Sequence, residues 1–157
     1  MNLRSWQVCV IEFLDGHEDF VETQDIVSLD DFTKNRLSRI QVALPKGAGH
    51  TTLAWHIAKN YPTFLVYRDL DHLKEIAGGS LDDLHEGTEA VSIYQIHHAI
   101  FSQRANTGDN SGLEVIKAKM VGKKAVVVDE ATSLFETESE VLDYMYTTSL
   151  GALVLLG

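Results

Sequence analysis

The stretch Ile40-Gln41-Val42-Ala43-Leu44-Pro45-Lys46-Gly47-Ala48-Gly49-His50-Thr51-Thr52 decides how this chain is read. It opens with a short apolar run, Ile40–Leu44, passes through a Gly-rich turn, Pro45–Gly49, and enters a helical stretch that lasts to Asn60 before Pro62 breaks it. Strand, glycine turn and helix in that order predict a βα unit. The same alternation continues outward. Thr63–Tyr67 (TFLVY), Ala90–Tyr94 (AVSIY), Ala125–Asp129 (AVVVD) and Ala152–Leu156 (ALVLL) read as buried strands. Asp69–Ile76, Gln95–Arg104 and Leu113–Val121 read as helices between them, and Thr137-Glu138-Ser139-Glu140 is a capping box for one more, to about Thr147. Short, uniformly apolar strands separated by helices are the mark of a parallel sheet covered on both faces. The expected fold is α/β: three layers, a mostly parallel five-stranded sheet with helices on both sides.

Upstream of the βα unit the pattern is weaker. Leu3–Leu14 is apolar at 3, 6, 10, 13 and 14, one helical face, although Val8, Val10 and Ile11 are strand formers. Ser28-Leu29-Asp30-Asp31 resembles a capping box opening a short helix to about Arg39. Residues 1–31 hold eight acids (Glu12, Asp15, Glu18, Asp19, Glu22, Asp25, Asp30 and Asp31) against the single base Arg4. We therefore expect residues 1–27 to form an acidic segment packed on a core of residues 28–157. Such a head is either a solvated face or a docking site for a protein partner.

Composition excludes several classes. The 157 residues are 45% hydrophobic and 23% charged, as in ordinary globular proteins. One cysteine, Cys9, allows no internal disulfide and suits a reducing compartment, so a cytoplasmic location is expected. No apolar run approaches the roughly 20 residues of a membrane span, and no signal peptide is read at the N-terminus. The net charge of −10 is the wrong sign for a nucleic-acid binder. Nucleic acid is expected to bind weakly, or through domains beyond this chain. The densest basic cluster is Arg104, Lys117, Lys119, Lys123 and Lys124.

In open α/β sheets ligands bind beyond the carboxyl ends of strands. That draws attention to Pro45–Thr52, Arg68–Asp69 and Asp129–Glu130. A phosphate-binding Walker A loop reads GxxxxGK[ST] between strand and helix, where amides and the helix N-terminus face the anion. Gly49 and Thr51 match that pattern, Leu44 replaces the first glycine, and His50 replaces the lysine. The second signal is Ala125-Val126-Val127-Val128-Asp129-Glu130, four apolar residues and then two carboxylates. An aspartate at a buried strand end suits magnesium, and a glutamate beside it can orient water. The bland reading of the same hexamer is a strand that ends in an acidic turn.

On these residues the chain resembles the ATPase core of helicases and phage terminase large subunits, from about Ser28 to Gly157. Walker A loops of terminases often lack the first glycine and carry a base three positions before the last one, where Lys46 precedes Gly49. Asp129-Glu130-Ala131-Thr132 is similar to the DEAx box of helicases. Leu153–Gly157 (LVLLG) resembles the strand that carries the coupling motif. The resemblance implies binding of ATP with Mg2+ and its hydrolysis. Pro45, Lys46, Gly47, Ala48, Gly49, His50, Thr51 and Thr52 would cradle the nucleotide. Thr51 and Asp129 would hold the metal, Glu130 would position water, and Lys46 or His50 would supply positive charge. Two departures stand out: His50 in the lysine position, and a chain that ends where the polar residue of the coupling motif belongs. The expectation is therefore a piece of a longer motor or a reduced relative.

Rival readings use some of the same residues. A non-hydrolysing nucleotide-binding or interaction module would explain His50. A dinucleotide fold would use Gly47-Ala48-Gly49, with Asp69 on the ribose, but Thr52 stands where the third glycine belongs. The seven histidines form no HxxxH, and neighbours such as His97 and His98 point about 100° apart on a helix. No metal cluster and no covalent nucleophile is read. Trp55 and Ile57–Ala58 are expected to pack the loop helix on the sheet.

Overall fold

A computed structural model of the chain describes residues 3–15, 39–42, 44–45, 47–105, 111–131 and 152–157. The described elements are α1 (Ser5–Asp15), β1 (Arg39–Val42), α2 (His50–Asn60), β2 (Thr63–Tyr67) and α3 (Leu70–Ile76), then β3 (Glu89–Ser92), α4 (Ile93–Ala105), α5 (Ser111–Met120), β4 (Ala125–Asp129) and β5 (Ala152–Leu156). The proposed helix from Ser28 and the helix expected after Thr137 fall outside the described residues, except that Arg39 already belongs to β1.

The protein is α/β. Its strands pair in the order β1-β5-β4-β2-β3 and every pairing is parallel. The chain moves outward from β1 to β2 and β3, then returns through β4 to β5. Right-handed connections of that kind carry α2 and α3 over one face and α4 and α5 over the other. The packing agrees: α2 lies against α3, α4 against α5, and β2 touches both α2 and α5. A strand covered on both faces has no solvated side, so β4 and β5 are buried at every position and their sequences show no alternation. From α2, Leu53, Ala54, Trp55, Ile57 and Ala58 are buried, which places Trp55, Ile57 and Ala58 as their spacing predicts.

The N-terminal segment is helical, and its helical face wins over its β-branched residues because Val10 and Leu14 join the main core. Side chains of this helix reach both ends of α2. Gln7 meets the loop before α2, at Gly49. At the far end the Tyr61 hydroxyl donates to Asp15 Oδ1 at 3.0 Å.

Several boundaries differ from expectation: β1 is Arg39–Val42 rather than Ile40–Leu44, β3 is Glu89–Ser92 rather than Ala90–Tyr94, and α5 is Ser111–Met120 rather than Leu113–Val121. β3 ends at Ser92 and α4 starts at Ile93, not at Gln95. Ser92-Ile93-Tyr94-Gln95 is itself a capping box: Gln95 Oε1 accepts from Ser92 N at 2.9 Å, and the Ser92 hydroxyl accepts from Tyr94 N at 3.2 Å. Asp69 stands outside its helix as the N-cap, accepting from His72 N at 3.1 Å.

Candidate functional site

Because every strand is parallel, the turn after β1 and the last residue of β4 emerge at the same end of the sheet. The loop that leaves β1 is built for a tight path. Gly47 and Gly49 have φ of 90° and 100°, a region that favours glycine. Gly49 is the N-cap of α2, and a Cβ there would stand 2.9 Å from Gln7 Nε2. Pro45 accepts from Ala48 N at 3.1 Å, which closes the turn, and Gly49 O takes the first bond of the helix, from Leu53 N at 3.0 Å. The earlier amides of α2 have no carbonyl one turn back inside the helix, as at any helix start. Lys46 lies outside the described residues.

Thr51 and Asp129 meet. Thr51 Oγ1 donates to Asp129 Oδ2 at 2.9 Å, across 78 positions of sequence, and the contact is buried. Thr51 is 9% and Asp129 6% exposed. Of the two adjacent threonines, Thr51 is the one that reaches the carboxylate. Thr52 is half-buried beside it in the first turn of α2. Burial pushes the Asp129 carboxyl up to about 6, against the pull of its bonds from Thr51 and from Glu130 N; the Glu130 charge raises it further and His72 lowers it.

Glu130 follows with φ of 55°, the only non-glycine residue at positive φ among the described residues. Left-handed backbone at a glutamate costs of order 1 kcal/mol and clusters at functional sites. The turn sends Glu130 away from the buried position of Asp129, to a half-buried place on a cleft of about 380 Å³. Arg68, Asp69, Leu70, Asp71 and Tyr94 complete that cleft, and the Arg68 guanidinium lies 5.9 Å from the centre of the Tyr94 ring. The cleft adjoins the ends of β2 and β4, and among the described residues none of the loop 44–52 lines it.

His50 does not extend from the loop as a lysine would. Its Nε2 accepts from Leu44 N at 3.4 Å, and its ring lies against Trp6, tilted by 49° with the centroids 5.5 Å apart. Burial lowers its pKa, so the imidazole is neutral at pH 7.

Three residues of α1 and the turn before it contact the loop, which the sequence did not reveal. Arg4 Nη1 donates to Ala48 O at 2.6 Å and to Gly47 O at 3.4 Å, and Gln7 Nε2 donates to Gly49 O at 3.1 Å. Trp6 is the third, through His50. They lie more than 40 positions from the glycines, and no local motif announces such a contact.

Comparison with protein-family models, with curated proteins and with solved structures gives no match to this chain. The site therefore rests on its own geometry. Among the described residues no three of His, Cys, Asp and Glu converge to hold a metal, and none crosses a membrane as a long apolar helix. Thr51 and Asp129 could offer a cation two neighbouring oxygens, with its remaining ligands coming from outside the protein.

Proposed function

We propose that this protein binds a nucleoside triphosphate, ATP, with Mg2+, and hydrolyses it, as a helicase- or terminase-like ATPase core on a three-layer P-loop fold. The observation that carries the reading is the buried contact between the Thr51 hydroxyl and the Asp129 carboxylate. It joins the glycine loop to the acidic strand end and presents two oxygens side by side for one small, hard cation. The loop supplies what an anion needs: helix-start amides, two glycines at positive φ and the positive end of the α2 dipole.

In this reading the loop Pro45–Thr52 binds the phosphates, with Lys46 and His50 among its residues. Thr51 and Asp129 hold Mg2+, which when bound would neutralise phosphate charge. Glu130 orients a water toward the terminal phosphorus and takes its proton as the bond to the leaving oxygen breaks, giving ADP and phosphate. A dinucleotide reading is weaker, because Asp69 is engaged as a helix cap. One observation favours binding without turnover: the imidazole that replaces the lysine is neutral and turned back on Leu44 and Trp6.

Thermal unfolding with and without MgATP, MgADP and other nucleotides tests the reading. Ligand at about 100 times its dissociation constant adds roughly 2.7 kcal/mol of stability. No shift with any nucleotide would refute it. A shift with no release of phosphate would select the non-hydrolysing module.

A further inference from the structure

We propose that Arg4, the residue just before α1, is a fixed cation beside the glycine loop and, with Gln7, holds the loop in its polyphosphate-binding form. The inference rests on the nucleotide reading above and adds a fixed charge behind the loop to the one Lys46 would bring.

Three consecutive loop carbonyls are taken from the α1 side: Gly47 O and Ala48 O by Arg4 Nη1, and Gly49 O by Gln7 Nε2. The two side chains act as one unit, because Gln7 Oε1 accepts from Arg4 N at 2.7 Å. In a trans peptide the C=O of one residue and the N–H of the next point in opposite directions. With the Ala48 and Gly49 carbonyls turned to α1, the amides of Gly49 and His50 must point away from it. Two adjacent amides on the free side of a tight turn form an anion-binding nest. Arg4 and Gln7 thereby fix which way the loop's dipoles face.

Arg4 also brings charge. Among the described residues its guanidinium donates to loop carbonyls and forms no ion pair with a carboxylate. A guanidinium stays protonated at every working pH. The imidazole in the lysine position cannot match that: it accepts a backbone N–H, lies against Trp6, and is buried enough to favour its neutral form. Arg4 is a positioning residue, one peptide plane from the amides that would meet the phosphate, and its field adds to theirs.

The experiment is a binding titration of the full chain with MgATP and with inorganic tripolyphosphate, for the parent, Arg4→Ala, Arg4→Lys, and Arg4→Ala combined with His50→Lys. Circular dichroism confirms that each is folded. Arg4→Ala should weaken both ligands by about tenfold or more, the scale of a charge-assisted contact. Arg4→Lys should stay within about threefold of the parent, because a lysine can still donate and carries the charge. The double variant should recover most of the loss, since it returns a cation to the loop from another position. Recovery of that kind is not expected if Arg4 only packs. Parent-like binding by Arg4→Ala overturns the inference and leaves the nucleotide reading standing. Loss in Arg4→Ala without recovery in either Arg4→Lys or the double variant also overturns it. A parent that binds neither ligand removes the nucleotide reading and this inference with it.

Discussion

Glu130 N donates to the Oδ1 oxygen of its neighbour Asp129 at 3.0 Å while Thr51 occupies Oδ2, so the buried carboxylate is held by both its oxygens. Glu130 itself, in left-handed backbone, lines the cleft. One strand end thus carries two acids in different surroundings, one buried and partly protonated near pH 6, the other half-exposed. Two carboxylates set apart by environment suit two roles.

The glutamate's role is testable by an isosteric change. Glu130→Gln keeps the size of the side chain and removes its basicity. MgATP affinity should stay within about twofold, and phosphate release should fall by roughly two orders of magnitude or more, the scale of a general base. Unchanged turnover would remove Glu130 from the reaction.

Asp129 predicts opposite effects on stability and on function. Its folded pKa of about 6 lies above the unfolded value of about 4. The folded state then binds more protons between those values, so this group's contribution to stability declines as pH rises from 4 to 6 and is constant above. Asp129→Asn removes that cost; its amide oxygen can keep the bond from Glu130 N while its NH2 donates to the Thr51 oxygen. Without magnesium the variant should be more stable than the parent at pH 7, by something on the order of 1–3 kcal/mol in urea unfolding, and no more stable at pH 4. It should also lose magnesium-dependent nucleotide binding. A variant less stable at both pH values would mean that the ionised carboxylate is favoured where it sits.

The glycine at the start of α2 is a steric requirement. Gly49→Ala meets both a φ of 100° and a Cβ 2.9 Å from Gln7 Nε2. We expect a loss of about 1–3 kcal/mol, with the loop displaced from Gln7 and nucleotide binding weakened. Gly47→Ala has no neighbour within 4 Å and should cost only the backbone strain, about 1 kcal/mol.

Much of the scaffold was legible because parallel strands buried on both faces must be apolar throughout. The runs at 63–67, 125–129 and 152–156 coincide with their strands to the residue. The edge strand β3 is less buried and its carboxyl end less apolar, so the reading overran it into a capping box whose Ser92 and Gln95 pair was visible but unread. The pairing of Thr51 with Asp129 followed from motif chemistry. Arg4, Trp6 and Gln7 did not, because their place is set by the docking of α1 against the loop, a tertiary fact without a local signature. The orientation of His50 had the same cause: its partner ring, Trp6, comes from α1.

Charge predicts the nucleic-acid behaviour of the isolated chain. Its −10 net charge opposes the phosphate backbone, and the basic cluster is partly engaged: Lys119 pairs with Glu89 at 3.5 Å and Lys123 donates to Gly87 O. Fluorescence anisotropy with labelled duplex DNA near physiological salt should give a dissociation constant weaker than about 10⁻⁴ M, the weak end of non-specific binding. Tight binding that falls steeply with added salt would contradict the charge argument.

The pH dependence of MgATP binding separates the two sources of loop charge. If His50 supplied it, affinity would rise as pH falls toward 6 and the imidazole protonates. Its pKa is lowered by burial, however, while that of Asp129 is raised to about 6. Acidification that favours a charged His50 therefore also favours a neutral Asp129, which is a poor metal ligand. We therefore expect affinity to rise with pH through about 6 and to level off above 7, following the aspartate. His50→Lys should raise the plateau across that range, because an ammonium stays charged, and should leave the midpoint near 6. The variant gives up the Leu44 and Trp6 contacts, so a small loss of stability should accompany the gain. Affinity that instead climbs on acidification, and no longer does so in His50→Lys, would assign the charge to the imidazole.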